Sequence, residues 1–446
     1  MEKQDFFGND VLLKSETARM LYEKIKDLPI VDYHCHLNEK EIAEDKVFSS
    51  LGELWLSGDH YKWRAMRLCG VEEHYVTGDA SYDEKFMKYA EIFPLLFGNP
   101  LYYFTQLELK LLFGITLPLN KKNAPKILAL ANEKLKNLHV SDILEMFHVE
   151  YIATTDDPVS TLSSHGRYGK TEVAPTFRPD RILTCDDEVL AELSDASGIA
   201  INSLDGVKKA LSSRLDYFCQ KGCKIADHGM DFLPLADCNE MTAASLFERR
   251  RSLNKDDLAR LSSHLTYFLA EEYARRGMVM QMHFGTFRNV NTEMFRTAGK
   301  DAGFDVMRSE VNTDRLAVFF DTLQKRNALP KIVLYSLNPS AVTALCTLSG
   351  AFPNIRVGAA WWFNDSLFGI EKQLETIAEY AVLGTSLGML TDSRSFASYV
   401  RFDFFRRILA NFVGERVEKG EYDITSAEEL VKRICYSNIK DFLSLT

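Results

Sequence analysis

The chain has no uninterrupted run of about 18 apolar residues, so no stretch of it would cross a bilayer as a helix. Its first residues, Met1-Glu2-Lys3-Gln4-Asp5-Phe6-Phe7-Gly8, lack a basic segment leading into an apolar core, and no secretory signal is expected. Basic residues are outnumbered: 53 Lys and Arg stand against 63 Asp and Glu, for a net charge of −10 with no basic stripe. That balance argues against nucleic acid or an anionic membrane surface as a partner. The eight cysteines are scattered rather than paired, which suits a reducing, cytoplasmic compartment better than a disulfide framework. No glycine-rich phosphate loop follows any apolar run, so a doubly wound nucleotide-binding sheet is disfavoured. What remains is 446 residues, enough for one large domain carrying one sizeable insertion.

The most informative stretch is Asp32-Tyr33-His34-Cys35-His36, which closes the apolar run Leu28-Pro29-Ile30-Val31. A short apolar run breaking into polar residues reads as a buried strand reaching its C-terminal end. Strand side chains alternate faces, so His34 and His36 point the same way. Two imidazoles at a strand end form a pair of metal ligands; the bland alternative is that both only hydrogen-bond the top of a core.

Beyond this strand, residues 39–147 offer no convincing strand but several helix-like stretches, such as 82–97 and 103–113, and read as a helical insertion. The texture then becomes strand followed by helix. Apolar runs ending in polar residues recur at 151–157, 173–178, 224–228, 278–284, 331–338, 355–362 and 387–392, with helices expected over 186–219, 255–276, 315–326 and 366–383. With the first strand this makes eight units, and the pattern predicts a closed (β/α)8 TIM-like barrel. Residues 1–38 and 148–446 would form it, and 39–147 would be an all-helical subdomain inserted after strand 1.

Chemistry in such barrels gathers where the strands end. Those ends carry His34, His36, Asp156, Asp157, Arg178, Asp227, His228, His283, Asn338, Trp361, Trp362, Asp392 and Arg394. Asp392 ends the eighth strand, which neighbours the first in a closed barrel, and is the natural third ligand to His34 and His36. A helix N-cap is its alternative role. His283 would be a fourth ligand or lie just outside the shell. Arg178 and Arg394 follow strand ends and Arg288 lies in the loop after the fifth strand; guanidinium forks there suit an acidic substrate. In the insertion, Gly58-Asp59-His60-Tyr61-Lys62-Trp63-Arg64-Ala65-Met66-Arg67 is either an aromatic helix on the rim or a lid presenting His60 and Tyr61 to the site.

These motifs, with Thr154-Thr155-Asp156-Asp157-Pro158, Trp361-Trp362-Phe363-Asn364-Asp365 and Thr391-Asp392-Ser393-Arg394-Ser395-Phe396, resemble uronate (glucuronate) isomerases of the amidohydrolase superfamily over nearly the whole chain. One departure is Phe402, where the family usually has histidine. The resemblance implies interconversion of D-glucuronate with D-fructuronate, and of D-galacturonate with D-tagaturonate, by proton transfer between C2 and C1. It implies one divalent metal, usually zinc, on His34, His36 and Asp392. It implies His60, Tyr61, His283 and Asp392 as catalytic groups, with Arg178, Arg288, Trp362 and Arg394 around a uronic acid. Whether Tyr61 or Asp392 carries the proton stays open. Barrels of this size often associate, so a homo-oligomer is an expectation. The rivals are a mononuclear metal-dependent hydrolase, separable by assaying lactones and amides, and a binding protein that would not exchange the C2 proton.

Overall fold

In the computed structural model, which describes residues 6–230, 238–309 and 312–445, the apolar run before the histidine pair forms strand β1 (Ile30–Asp32), buried along its length. The later runs give β2 (Val149–Ala153), β3 (Gly166–Tyr168), β4 (Thr171–Ala174), β5 (Thr176–Phe177), β6 (Ile225–Met230), β7 (Val279–Phe284), β8 (Thr286–Phe287), β9 (Val306–Met307), β10 (Lys331–Ser336) and β11 (Ile355–Val357). β1, β2 and β4 pair in parallel, with β3 antiparallel at the edge. β5, β6, β7, β10 and β11 form a second, wholly parallel sheet in that order. Pro175, which has no N–H to give a ladder, separates β4 from β5. A single parallel bridge between Asp156 and Phe177 links the two sheets. The fold is mixed α/β with parallel sheets.

Two expectations change. The run 387–392 makes no ladder, because Gly388 (φ +72°) and Asp392 (φ +44°) leave the extended region. A Cβ on Gly388 would lie 2.3 Å from the Ile434 carbonyl oxygen, so the close approach itself demands glycine. The segment is tied to β1 through a side chain instead. The buried Asp32 carboxylate accepts Thr391 N at 2.9 Å and Thr391 Oγ1 at 2.6 Å. Two backbone bonds follow, Asp392 N to the His34 carbonyl and His36 N to the Ser393 carbonyl. Among the described residues no ladder joins β11 to β1. The helix expected over 186–219 is also two, Asp187–Ser197 and Leu204–Gln220, broken after the left-handed Gly198.

Residues 39–147 hold seven α-helices and no strand, among them His60–Leu68 and Pro100–Phe113. Asn99 caps the latter and Pro100 opens it, where its missing N–H costs nothing. These helices share one apolar core with the helix Val400–Glu418. That helix is buried around most of its circumference, with Arg401, Arg406 and Arg407 among its buried residues. Its Phe404 packs against Tyr103 and Phe104 of the insertion. Phe402 is buried beside Tyr22 and Tyr399, in a different recess from the histidine pair. No helix among the described residues is long and apolar enough to cross a membrane.

Candidate active site

His34 and His36 lie in the segment that runs on from the end of β1 at Asp32, their ring centroids 5.2 Å apart. The Asp32–Thr391 tie brings Asp392 between them: its Oδ1 lies 3.1 Å from His34 Nε2 and 3.2 Å from His36 Nε2. Trp361 Nε1 donates to the other oxygen, Oδ2, at 2.6 Å. Burial opposes charge on Asp392, but bonds from both imidazoles outweigh it and hold the carboxyl well below its usual range. Burial likewise pushes His36 down to about 4. For His34 the nearby Asp227 and Asp392 overcome burial and raise it.

Behind this group stands a second. Asp227 on β6 is fully buried; its Oδ1 lies 2.7 Å from His283 Nδ1 and its Oδ2 accepts Arg178 Nη1 at 2.8 Å. Arg178 also donates from Nε to Asp180 at 2.9 Å, so two of its three guanidinium nitrogens, Nε and Nη1, are held by carboxylates. His283, on β7, stacks on Tyr335 with centroids 4.2 Å apart and rings nearly parallel. Its Nε2 is buried without a hydrogen-bond partner, as is His34 Nδ1.

One cavity of about 410 Å³ is lined by His34, His36, His60, Arg178, His283, Arg288, Trp362, Asp392 and Arg394. Of the residues given a catalytic, substrate or metal role from the sequence, all but Tyr61 line it; the strand-end residues Asp156, Asp157, Asp227, His228 and Asn338 do not. His60 opens its helix beside Trp362, centroids 5.3 Å apart. Burial and Arg394 push it down to about 4. The Tyr61 hydroxyl is buried with no hydrogen-bond partner, and the Arg401 guanidinium lies 4.9 Å from its ring centroid. Burial, reinforced by Asp365, holds that phenol well above its ordinary value. Arg288 and Arg394 are set by Asp305 (2.9 Å) and Asp301 (3.2 Å).

The donors fit a divalent cation. His34, His36 and Asp392 offer ligand atoms all within 4.8 Å of one another, and so do His34, Asp227 and His283. His34 Nε2 and His36 Nε2 both converge on Asp392 Oδ1, and two imidazole nitrogens with one carboxylate oxygen are a donor set such an ion takes.

A sequence model of the family described as glucuronate isomerase matches residues 3–443. The chain belongs to this family. It is 42% identical to the uronate isomerase of Caldicellulosiruptor bescii, over 98% of this chain and 99% of that one. The crystal structure of the uronate isomerase of Thermotoga maritima superposes with a TM-score of 0.95 at 35% identity, covering 99% of this chain and all of that one. The glucuronate isomerase of Caulobacter crescentus gives a TM-score of 0.93 at 26% identity, with coverages of 98% and 97%.

For a member of the uronate isomerase family, the sequence reading passed over several cavity groups. Asp180, Gly229, Lys300, Asp301 and Asp305 also line the cavity, and Asp227 supports it from behind. Asp227 was visible as a strand end; the loop residues carried no comparable signal.

Proposed function

We propose that the chain interconverts D-glucuronate with D-fructuronate, and D-galacturonate with D-tagaturonate, as an aldose–ketose isomerase. The observation that carries this reading is one cavity holding a His34–His36–Asp392 cluster beside three guanidinium groups. Zinc is the ion we assign to His34, His36 and Asp392; when bound, it would polarise the sugar oxygens at C1 and C2 and stabilise developing negative charge.

Isomerisation requires an open-chain sugar, loss of a proton from C2, and return of a proton to C1 through an enediol. Arg178, Arg288 and Arg394 would receive the C6 carboxylate and orient the chain, with Trp362 as its apolar wall. Each guanidinium already has an aspartate partner, so its direction is set before substrate arrives. Asp392 would carry the proton between C2 and C1: it is deprotonated, lines the cavity, and has its second oxygen fixed by Trp361. His60 is uncharged at neutral pH and would accept a proton during ring opening. His283 would assist through its unpaired Nε2. A neutral phenol facing Arg401 rather than the cavity suits Tyr61 to supporting the lid.

The same reading treats the two sheets as arcs of one (β/α)8 barrel formed by 1–38 and 148–446, with 39–147 as its helical subdomain. The parallel ladders, the Asp156–Phe177 bridge and the Asp32–Thr391 tie support it.

Proton NMR of D-glucuronate in deuterated buffer, with metal-stripped and zinc-reloaded enzyme, tests the proposal. Conversion to fructuronate with solvent deuterium appearing at the transferred position is expected, restored on reloading. A uronate returned unchanged by the loaded enzyme would refute it.

A further inference from the structure

Arg64 and Arg67 lie on the helix His60–Leu68 but reach away from the metal cluster, toward the loop that precedes β9. Arg64 Nη1 donates to the main-chain carbonyls of Gly303 (3.2 Å) and Asp305 (3.0 Å). Arg67 Nη1 donates to the Ala302 carbonyl. The rest of the Arg67 fork is held by Glu73, Nε to Oε2 at 2.8 Å and Nη2 to Oε1 at 2.7 Å. Its guanidinium also covers the Phe304 ring at 4.5 Å. Two side chains of one helix thus hold three main-chain carbonyls within residues 302–305. Contacts to carbonyls fix the path of a loop, not merely the rotamer of one side chain.

The loop is shaped to accept this. Gly303 has φ +97°, and a Cβ there would lie 3.1 Å from the His60 carbonyl oxygen and 3.3 Å from Arg67 Nη1. A Cβ there would press on the helix, and the positive φ itself favours glycine. The same loop carries the carboxylates that aim two cavity arginines. Asp305 takes Arg288 Nη1 at 2.9 Å and Asn289 N at 2.7 Å, while Asp301 takes Arg394 Nη2 at 3.2 Å. In Asp305 the two halves of the arrangement share one residue: its carbonyl is held by Arg64 and its carboxylate holds Arg288.

We propose that Arg64 and Arg67 are positioning residues for the sugar-acid end of the site, clamping loop 301–305 to the insertion helix and so setting Arg288 and Arg394 through Asp305 and Asp301. The proposal rests on the reading of the cavity as a uronate site. It explains why a helix presenting His60 also carries two arginines that never face the cluster.

The test pairs kinetics with amide hydrogen exchange. Arg64→Met and Gly303→Ala are expected to raise KM for D-glucuronate about tenfold or more, with kcat within about threefold. Exchange in 301–306 should accelerate while the helix 60–68 stays protected. Arg64→Lys, whose ammonium can reach the same two carbonyls, should recover most of the KM. Arg67→Lys should not, having no fork left for Glu73. Faster loop exchange with KM unchanged, or a fall in kcat at constant KM, would overturn the proposal. If wild-type enzyme leaves D-glucuronate unchanged, the substrate reading has failed and exchange alone decides the clamp. Protection of 301–306 lost in Arg64→Met then supports it, and protection retained overturns it.

Discussion

Asp227 Oδ1 lies 2.7 Å from His283 Nδ1 while its other oxygen holds Arg178 at 2.8 Å, so one buried carboxylate orients both an imidazole and a guanidinium of the cavity. Burial would raise this carboxyl, but Arg178, His283 and His34 keep it ionised, well below the ordinary range. An ionised acceptor at Nδ1 places the ring proton there and leaves Nε2 with its lone pair free.

Asp227→Asn should therefore do more harm than its shape suggests. Its amide group must face either His283 or Arg178, and one of the two loses its acceptor. Turnover per KM should fall about 10- to 100-fold. Stability should fall, by less than the roughly 3–5 kcal/mol of a buried charge left wholly unpaired, because Arg178 loses one carboxylate partner and keeps Asp180. Steady-state kinetics with thermal melting would check both, and a variant matching wild type in either would contradict the assignment.

His60 gives a pH dependence of definite sign. Burial and Arg394 hold it at about 4 in the folded chain, against about 6.5 for an unperturbed histidine. Between those values the unfolded chain binds a proton that the native one does not. The stability it contributes is present in full above about 6.5 and is lost as pH falls toward 4. Wild type should lose more melting temperature than His60→Gln between pH 7 and pH 5. Equal losses would mean that His60 is not held neutral.

Much of this site was legible in the sequence because strand alternation is strict. Once a run ending at His34 and His36 is read as a strand, the two imidazoles must share a face; the strand stops at Asp32, and both rings still reach Asp392 Oδ1. Arg178, His283, Arg394 and Asp392 were found as residues at the ends of apolar runs, and all line one cavity. The eighth strand was misread for a local reason. An apolar run containing Gly388 looks like a strand until the Ile434 carbonyl, some forty residues later, presses against it. Asp301 and Asp305 left no trace because loop aspartates are common, and only folding reveals which ones face a guanidinium. Tyr61 shows the opposite failure. Its neighbour His60 faces the cavity, but adjacent residues on a helix point about 100° apart.

Gly229 is a glycine for a reason that can be measured. A Cβ at this position would lie 2.2 Å from Arg178 Nη2 and 3.0 Å from Asp180 Oδ2. Gly229 N itself donates to that Asp180 oxygen at 2.8 Å. Gly229→Ala should therefore displace the Arg178 guanidinium. KM for the uronate should rise about tenfold or more, with a smaller change in kcat, since orientation of the carboxylate is what is lost. Kinetics that leave KM unchanged would show that Arg178 does not meet the substrate.

The choice between Tyr61 and Asp392 as proton carrier follows from where their oxygens sit. The Tyr61 hydroxyl is buried without a partner, off the cavity wall, and burial keeps it protonated far above neutral pH. Asp392 lies on the cavity wall, is ionised, and is held by His34, His36 and Trp361. Tyr61→Phe removes a hydroxyl that lies off the cavity wall beside Arg401, so turnover should fall less than about tenfold and exchange of the C2 proton should persist. Asp392→Asn keeps the shape but cannot accept a proton, and should abolish C2 exchange. Because Asp392 also belongs to the proposed metal set, metal content must be measured alongside; exchange lost with metal retained isolates the proton-transfer role. Loss of C2 exchange in Tyr61→Phe, with a normal melting temperature and full metal content, would move the proton to the tyrosine and require the lid helix to turn when substrate binds.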